Sequence, residues 1–299
     1  MSSPREYDAI PDDLRNDTST HERLDRSMHE AVARQRSSYI EAWERQARLG
    51  AAVAGLSPES RSLVEALALE RPEYSSQLSL RDHVHVAADH QAGVMHTMGG
   101  DLASRITVRG APFDLQWTFF QPDGAKGTAA RGPSVHLPTG MMSLDLTETY
   151  VDRPVAYGGW MANGAGVGVF FKPKSKSTYV RVAPYLPYTY RWKDDSSLQV
   201  AHNRGAIACR VFEHNGPMLL DTQVPLWNDG TSWYQTHQDE QDGIWTDSHY
   251  FWASSDHWYV VWFWCSSSID FATKTTIGSS KAWNQMKANV KWIVFEQWA

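Results

Sequence analysis

"HWYVVWFWC", residues 257–265, is the stretch that decides the fold. Successive side chains of a strand point to opposite faces, so both faces of this strand would be aromatic. One face carries the even-numbered residues Trp258, Val260, Trp262 and Trp264. The other face carries the odd-numbered residues Tyr259, Val261, Phe263 and Cys265. Because an antiparallel sheet normally leaves one face to water, the sequence predicts a strand that is covered on both sides.

Other short runs of β-branched and aromatic residues surround this stretch and are typical of strands. The clearest runs are 104–110, 113–120, 178–182, 188–192, 206–213 and 290–298. Turn-forming sequences lie between them, namely "QPDG", "HNGP", "WNDG", "DEQDG" and "ANGAG". Since no helical pattern separates these runs, we expect residues 77–299 to form a large antiparallel β-sandwich or jelly roll.

The chain before residue 77 has a different pattern. Residues 1–19 are polar and contain two prolines, which predicts a disordered or loosely docked arm. In the segment 20–76, apolar residues recur at spacings of three and four, as in amphipathic helices. "GLSPES" divides that segment into two helices, since Ser57 and Pro58 favour a helix start. The fold class is therefore α+β, with two helices packed on the sandwich and covering its second aromatic face. The alternative is that the helices form a coiled-coil oligomer.

Composition excludes some classes of protein. The 299 residues carry a formal net charge of -6, which argues against a nucleic-acid partner. The N-terminus lacks the apolar core of a signal peptide, and no run of apolar residues is long enough to cross a bilayer. We therefore expect a cytoplasmic protein, or one released without a cleaved signal peptide. Cys209 and Cys265 are the two cysteines, and we expect two buried free thiols rather than a cross-strand disulfide.

One short motif has the spacing of metal ligands. His83 and His85 are two residues apart, so on a strand they would point to the same face, and Asp89 follows. Imidazole and carboxylate groups suit Zn²⁺ or Fe²⁺. The alternative is a pair of histidines on a solvated strand face. We expect no resident cofactor. The possible metals are zinc at these histidines and calcium at the "DEQDG" carboxylates of residues 239–243.

The strongest functional signal is the aromatic-rich stretch 226–258, which holds many of the chain's 14 tryptophans. Sites for small ligands combine apolar walls with a few polar groups, and sugar rings can stack on Trp and Tyr. We expect these residues to lie in loops and to bind a ligand. The candidate residues are Trp227, Asn228, Asp229, Trp233, Tyr234, His237, Asp239, Asp242 and Trp245. The alternative is that the tryptophans fill the core of a large sandwich.

Motifs for covalent catalysis are absent from the sequence. No G-x-S-x-G elbow occurs, and Asp145 and Glu148 are three residues apart, which puts them on opposite faces of a regular strand. We therefore favour a non-catalytic module that recognises a glycan or another surface ligand. The first alternative is an assembly or toxin-like component that forms a homo-oligomer, a particle or a membrane lesion. The second alternative is a metal-dependent enzyme that uses His83 and His85.

Overall fold

The computed structural model describes residues 10–15, 18–19, 22–27, 29–30, 106–121, 129–150, 158–196, 200–231, 235–272 and 280–298. The chain divides into two compact units. One unit comprises residues 1–36 and 105–299 and contains every described element. The other unit, residues 37–104, lies outside the described residues. Nothing among the described helices has the length and apolarity needed to span a membrane.

The described part of the first unit contains one short helix and thirteen strands. The helix is α1 (Asp12–Arg15). The first six strands are β1 (Ile106–Gly110), β2 (Leu115–Gln121), β3 (Ala129–His136), β4 (Met141–Tyr150), β5 (Gly158–Phe171) and β6 (Thr178–Ser196). The remaining strands are β7 (Val200–Glu213), β8 (Met218–Thr231), β9 (Gln235–Trp245), β10 (His249–Ala253), β11 (Tyr259–Ala272), β12 (Ser280–Asn289) and β13 (Trp292–Trp298).

These strands form two antiparallel sheets that pack as a sandwich. The five-stranded sheet has the order β2-β5-β11-β7-β8. The eight-stranded sheet has the order β1-β13-β6-β12-β4-β3, with β9 and β10 also paired to β6. The long strand β6 therefore pairs with β13 and β10 along its first half, and with β12 and β9 along its second half. The predicted antiparallel β-sandwich is confirmed.

The main core lies between the two sheets, where apolar side chains of both inner faces are buried. The odd-numbered residues of β11 contribute Tyr259, Val261, Phe263 and Cys265 to it. The facing sheet contributes Val180 and Val182 of β6 and Phe295 of β13, among others. Cys209 and Cys265 both lie in this core as free thiols, which confirms the prediction for the two cysteines.

The outer face of the five-stranded sheet is the second aromatic face. Trp262 and Trp264 of β11 are buried there, together with Trp117 of β2. Space for these rings comes from glycines of β5. A Cβ atom on Gly168 would come within 2.9 Å of the Trp262 ring, and one on Gly164 within 3.0 Å of the Trp117 ring. The "ANGAG" glycines thus lie inside a strand and not in the expected turn, because the neighbouring indoles need the room of the missing side chains.

N-terminal residues cover part of this second aromatic face. Leu14 of α1 and Leu24 are buried in the same apolar cluster as Trp262 and Trp264. The Arg23 guanidinium lies 4.9 Å from the centroid of the Phe212 ring, and the Trp117 indole N–H donates a hydrogen bond to Asp25. We had expected two helices of the segment 20–76 to cover this face, and of that segment the described residue Leu24 is buried there. Leu14 belongs to the segment 1–19, which we had expected to be an arm.

The two predicted helices are not confirmed. The described residues contain α1 and further helical residues at 22–27 and 29–30, which is too little to count as a two-helix segment. Most of the range 20–76 lies outside the described residues. The fold class is accordingly corrected from α+β to a mostly antiparallel β-sandwich that carries one short described helix.

Candidate functional site

Most described residues of the aromatic-rich stretch 226–258 lie in the strands β8, β9 and β10 and not in the expected loops. Asn228 and Asp229 lie within β8, and Asp239 and Asp242 within β9. The "WNDG" and "DEQDG" sequences are therefore not turns, since long cross-strand pairing with β7 and β6 outweighs their local turn preference. "HNGP" is the turn that was expected, with Asn215 in the left-handed region at a φ of 57°.

Two of the predicted ligand-binding tryptophans belong to the core. Trp245 is 4% exposed and packs edge-on against Phe263. Trp227 is also buried, its ring lies 4.7 Å from that of Tyr190, and its indole N–H donates a 3.0 Å hydrogen bond to Asn203. Because both side chains are almost wholly buried, we leave both out of the candidate site. Trp233 and Tyr234 lie outside the described residues.

The polar members of the predicted set lie at the surface but do not converge. Asn228 accepts a hydrogen bond from Arg204 on the outer face of the five-stranded sheet. His237 Nδ1 lies 3.2 Å from an Asp229 carboxylate oxygen. Asp239 and Asp242 are exposed on β9, which belongs to the eight-stranded sheet. The structure therefore does not bring the seven described residues of the predicted set into one pocket.

The predicted metal ligands His83, His85 and Asp89 lie outside the described residues. In the described ranges, no group of three or more His, Cys, Asp or Glu side chains has the arrangement of a metal site. The "DEQDG" carboxylates on β9, the candidate calcium ligands, lie within these ranges.

Four aromatic side chains, two exposed and two partly exposed, form a platform on the outer face of the eight-stranded sheet. Its four members are Tyr179, Tyr250, Trp252 and Trp298. The Tyr179 and Tyr250 rings are stacked at 5.6 Å with an interplanar angle of 12°. Trp252 lies 5.1 Å from Tyr179, and Trp298 lies 6.1 Å from Tyr250 at an angle of 26°. Trp252 is 67% exposed, so its ring presents most of its surface to solvent.

Strand register explains why these rings meet. Tyr179 of β6 is directly opposite Trp252 of β10 on one side and Trp298 of β13 on the other. Tyr250 precedes Trp252 by two residues on β10 and therefore points to the same face. Adjacent strands are about 4.8 Å apart, so the three strands spread the platform over about 10 Å.

Polar side chains lie beside the rings. Arg181 is two residues after Tyr179 on β6, and its Nη1 donates a 3.1 Å hydrogen bond to Glu296 of β13. Its Nε donates a 2.7 Å hydrogen bond to Ser248 Oγ. Both partners of the ion pair are only partly accessible to solvent. The platform therefore combines a broad aromatic surface with a fixed set of hydrogen-bonding groups.

Two carboxyl groups with strongly shifted pKa values, Asp194 and Asp270, lie away from the platform, at one end of the sandwich. Burial raises the pKa of Asp194 to about 8, although a hydrogen bond from Asn203 opposes this effect. Burial also raises the pKa of Asp270 to about 6, against the attraction of Arg204. Asp194 belongs to a buried polar chain in which Asn284 donates to Asn203 and Ser267 lies 2.8 Å from Asn284. This chain joins the two sheets, so its evident role is structural.

Sequence reasoning found part of the platform and missed the rest. Tyr250 and Trp252 lie in the stretch that was singled out, whereas Tyr179 and Trp298 are distant in sequence. Their shared face follows from the pairing of β6 with both β10 and β13, which one sequence does not reveal. The sequence did contain one signal for Tyr179. Tyr179 is two residues before the polar residue Arg181, and this alternation indicates that both side chains point to the solvent face of β6.

Comparisons with known proteins give similarities to solved structures only. No family model matches the chain, and none of the curated proteins matches it. A carbohydrate-binding module of family 61, solved with β-1,4-galactotriose, is 11% identical, with 62% of this chain and 91% of that chain covered and a TM-score of 0.17. The N-terminal cellulose-binding domain of a Cellulomonas fimi β-1,4-glucanase is 16% identical, with 57% and 90% covered and a TM-score of 0.14.

A third similar structure comes from a viral protein. The enzymatically active domain of tailspike protein 4 of bacteriophage CBA120 is 7% identical, with a TM-score of 0.18. The similarity covers 62% of this chain but 20% of that protein. At these TM-scores the similarities carry no argument about function, which depends on the residues of this chain.

Proposed function

We propose that the protein is a non-catalytic recognition module that binds a glycan on the aromatic platform of Tyr179, Tyr250, Trp252 and Trp298. The observation that carries this proposal is the exposure of Trp252, which is 67% accessible within a cluster of four rings on a sheet face. Apolar surface that is contiguous and exposed marks binding sites in folded proteins. A glycan fits the chemistry of this surface better than a purely apolar ligand does.

The C–H faces of a pyranose are apolar, whereas its hydroxyl groups both donate and accept hydrogen bonds. Exposed indole and phenol rings offer a broad apolar surface to the C–H faces. Donors and acceptors for the hydroxyl groups come from Arg181, Glu296 and Ser248. Because Arg181 is held by two partners, these groups keep their positions before a ligand arrives, which reduces the entropy cost of binding.

Binding to a glycan array, followed by titration calorimetry on the hits, tests the proposal. Trp252→Ala removes the most exposed ring, and we expect the dissociation constant to rise about tenfold or more. Met218→Ala is the matched control, since Met218 is also exposed but lies on β8 of the other sheet. If the wild-type protein binds no glycan, or if both variants bind as tightly as the wild type, the proposal is wrong.

Self-association through the same face is a second candidate function. Trp292, Ile106 and Val108 are also exposed on this half of the eight-stranded sheet, on β13 and β1. They extend the apolar surface beyond the platform, and an isologous dimer could bury it. Sedimentation equilibrium separates the two functions. A dimer that Val108→Lys dissociates without loss of glycan binding would establish an interface beside the platform.

A further inference from the structure

We infer that the ligand is an extended, uncharged glycan chain that continues from the aromatic platform along β6 into a polar groove on the same sheet face. This inference rests on the proposed function and adds the length and charge of the ligand to it. Its basis is the continuity of one sheet face over the whole of β6, from Tyr179 to Lys193.

Odd-numbered residues of β6 form one outer row, in which Ala183 is buried. Even-numbered residues of the strand are mostly buried against the other sheet, among them Val180, Leu186 and Trp192. The odd-numbered residues therefore point outward. At about 3.3 Å per residue, the row from Tyr179 to Arg191 is about 40 Å long. A disaccharide is too short to contact both ends of such a row, whereas an oligosaccharide can follow it.

Two adjoining grooves lie beside the second half of β6. One has a volume of about 670 Å³ and is lined by Pro187, Thr189 and Ile244, among others. The other has a volume of about 630 Å³ and is lined by Thr189, Arg191 and Gln285, among others. Thr189 and Lys287 line both grooves, so the two form one continuous depression along the strand.

A row of polar side chains crosses this depression from strand to strand. Cross-strand pairing places Arg131 opposite Asp145, Asp145 opposite Gln285, Gln285 opposite Arg191, and Arg191 opposite Glu240. Gln285 donates a 3.1 Å hydrogen bond to Asp145 and accepts a 2.8 Å hydrogen bond from Arg191. These contacts fix the central groups, and the exposed end residues Arg131 and Glu240 remain accessible.

Further aromatic rings lie along the same path. The Tyr185 and Trp292 rings are stacked at 4.3 Å between the platform and the grooves, and Trp292 is 42% exposed. Beyond the polar row, Trp283 of β12 lies under the Arg191 guanidinium at 5.7 Å. The face thus alternates rings with hydrogen-bonding groups, which is the pattern that successive sugar units of a chain require.

The charges of the groove favour an uncharged chain. Its cationic side chains Arg131, Arg191, Lys287 and Lys291 are interspersed with the anionic side chains Asp145, Glu240 and Asp242. Such a mixture has almost no net charge, so it attracts neither polyanions nor polycations from a distance. It does present fixed donors and acceptors side by side, and a hydroxyl group uses both.

The test is a length series of uncharged β-1,4-linked glucose, xylose and galactose oligosaccharides, from disaccharide to hexasaccharide, titrated by calorimetry. For the series that binds, we expect the affinity to rise at least about tenfold from disaccharide to hexasaccharide. Glu240→Ala, Arg131→Ala and Trp292→Ala should each lower the ratio of hexasaccharide to disaccharide affinity about threefold or more. Met218→Ala should leave that ratio unchanged.

The possible outcomes separate the two proposals. If no oligosaccharide or immobilised polysaccharide binds, the proposed function itself fails. If binding depends on Trp252 but the affinity does not rise with chain length, the platform is the whole site and the extended path is wrong. If affinity falls more than about tenfold between 50 mM and 500 mM NaCl, or if uronic-acid oligomers bind more tightly, the ligand is charged and the inference about charge is wrong.

Discussion

Gly205 of β7 lies directly beneath the indole ring of Trp227 on β8, so close that a Cβ atom at this glycine would overlap the ring. The pair fills the core at the end where the buried polar chain joins the two sheets. We expect Gly205→Ala to lower the free energy of unfolding by roughly 3 kcal/mol, because the added methyl group would force the buried ring out of its position. Urea denaturation measures this change.

Gly132→Ala is the matched control, since a Cβ atom there would meet nothing within 4 Å. It should change the free energy of unfolding by less than about 0.5 kcal/mol. Adding Trp227→Phe to Gly205→Ala should recover part of the loss by shortening the ring system. Equal stability of the two alanine variants would show that the Trp227 ring is not fixed where the structure has it.

Trp245 and Trp252 should respond oppositely to truncation. Trp245 packs in the core, so Trp245→Ala should lower the free energy of unfolding by roughly 3–5 kcal/mol. Trp252→Ala should lower it by less than about 1 kcal/mol, because the ring is largely exposed. Chemical denaturation of both variants distinguishes them. If the Trp245→Ala protein were as stable as the wild type, Trp245 would lie at the surface, as we expected from the sequence.

The N-terminal cover should contribute measurably to stability. Leu24→Ala removes a fully buried side chain from the cluster that contains Trp262 and Trp264, which should cost about 2–5 kcal/mol. Opening of this cover should also increase the fluorescence of a hydrophobic dye. Glu22→Ala, at an exposed position two residues earlier, serves as the control. Wild-type stability and dye binding in Leu24→Ala would mean that the cover is not needed.

Four buried groups predict how the free energy of unfolding depends on pH. Burial raises the pKa of Asp194 from 3.8 to about 8 and that of Asp270 from 3.8 to about 6. The folded protein therefore retains protons that the unfolded chain releases, and stability falls as pH rises through these intervals. Burial lowers the pKa of His202 and His249 from 6.5 to about 4, so their contribution falls as pH drops below 6.5.

The opposing effects largely cancel between pH 4 and 6, and of these four groups Asp194 alone still titrates between pH 6.5 and 8. We expect the melting temperature to be highest near pH 6.5 and to decline toward pH 8. Asp194→Asn should remove that decline, and the exposed neighbour Asp195→Asn should keep it. Calorimetry across this range checks both, and an unchanged decline in Asp194→Asn would contradict the assignment.

The sequence predicted the sandwich because its strongest signals are local. The alternation in 257–265 correctly assigned both faces of β11, since side-chain direction in a strand follows from parity alone. "DEQDG" and "ANGAG" were assigned to turns because local propensity ignores tertiary packing. In β5 the glycines are required by the neighbouring Trp117 and Trp262 rings, a contact between distant strands.

The candidate site was predicted less completely, because a platform depends on sheet order. Trp245 and Trp252 look alike in sequence, since each follows a large apolar residue and lies close to polar ones. The first faces inward on β9 and the second outward on β10. Tyr179 and Trp298 join Trp252 in the platform only through β6, whose pairing with four other strands is a long-range property.

The position of β11 determines where the protein exchanges its amide hydrogens most slowly. The strand is bonded to β5 on one side and to β7 on the other over all fourteen residues, Tyr259–Ala272. Apolar side chains cover both faces of its first half, Tyr259–Cys265, so a local opening that admits solvent to these amides must displace one of the two layers. The amides of this half should therefore exchange only through global unfolding, and their protection would report the stability of the whole sandwich.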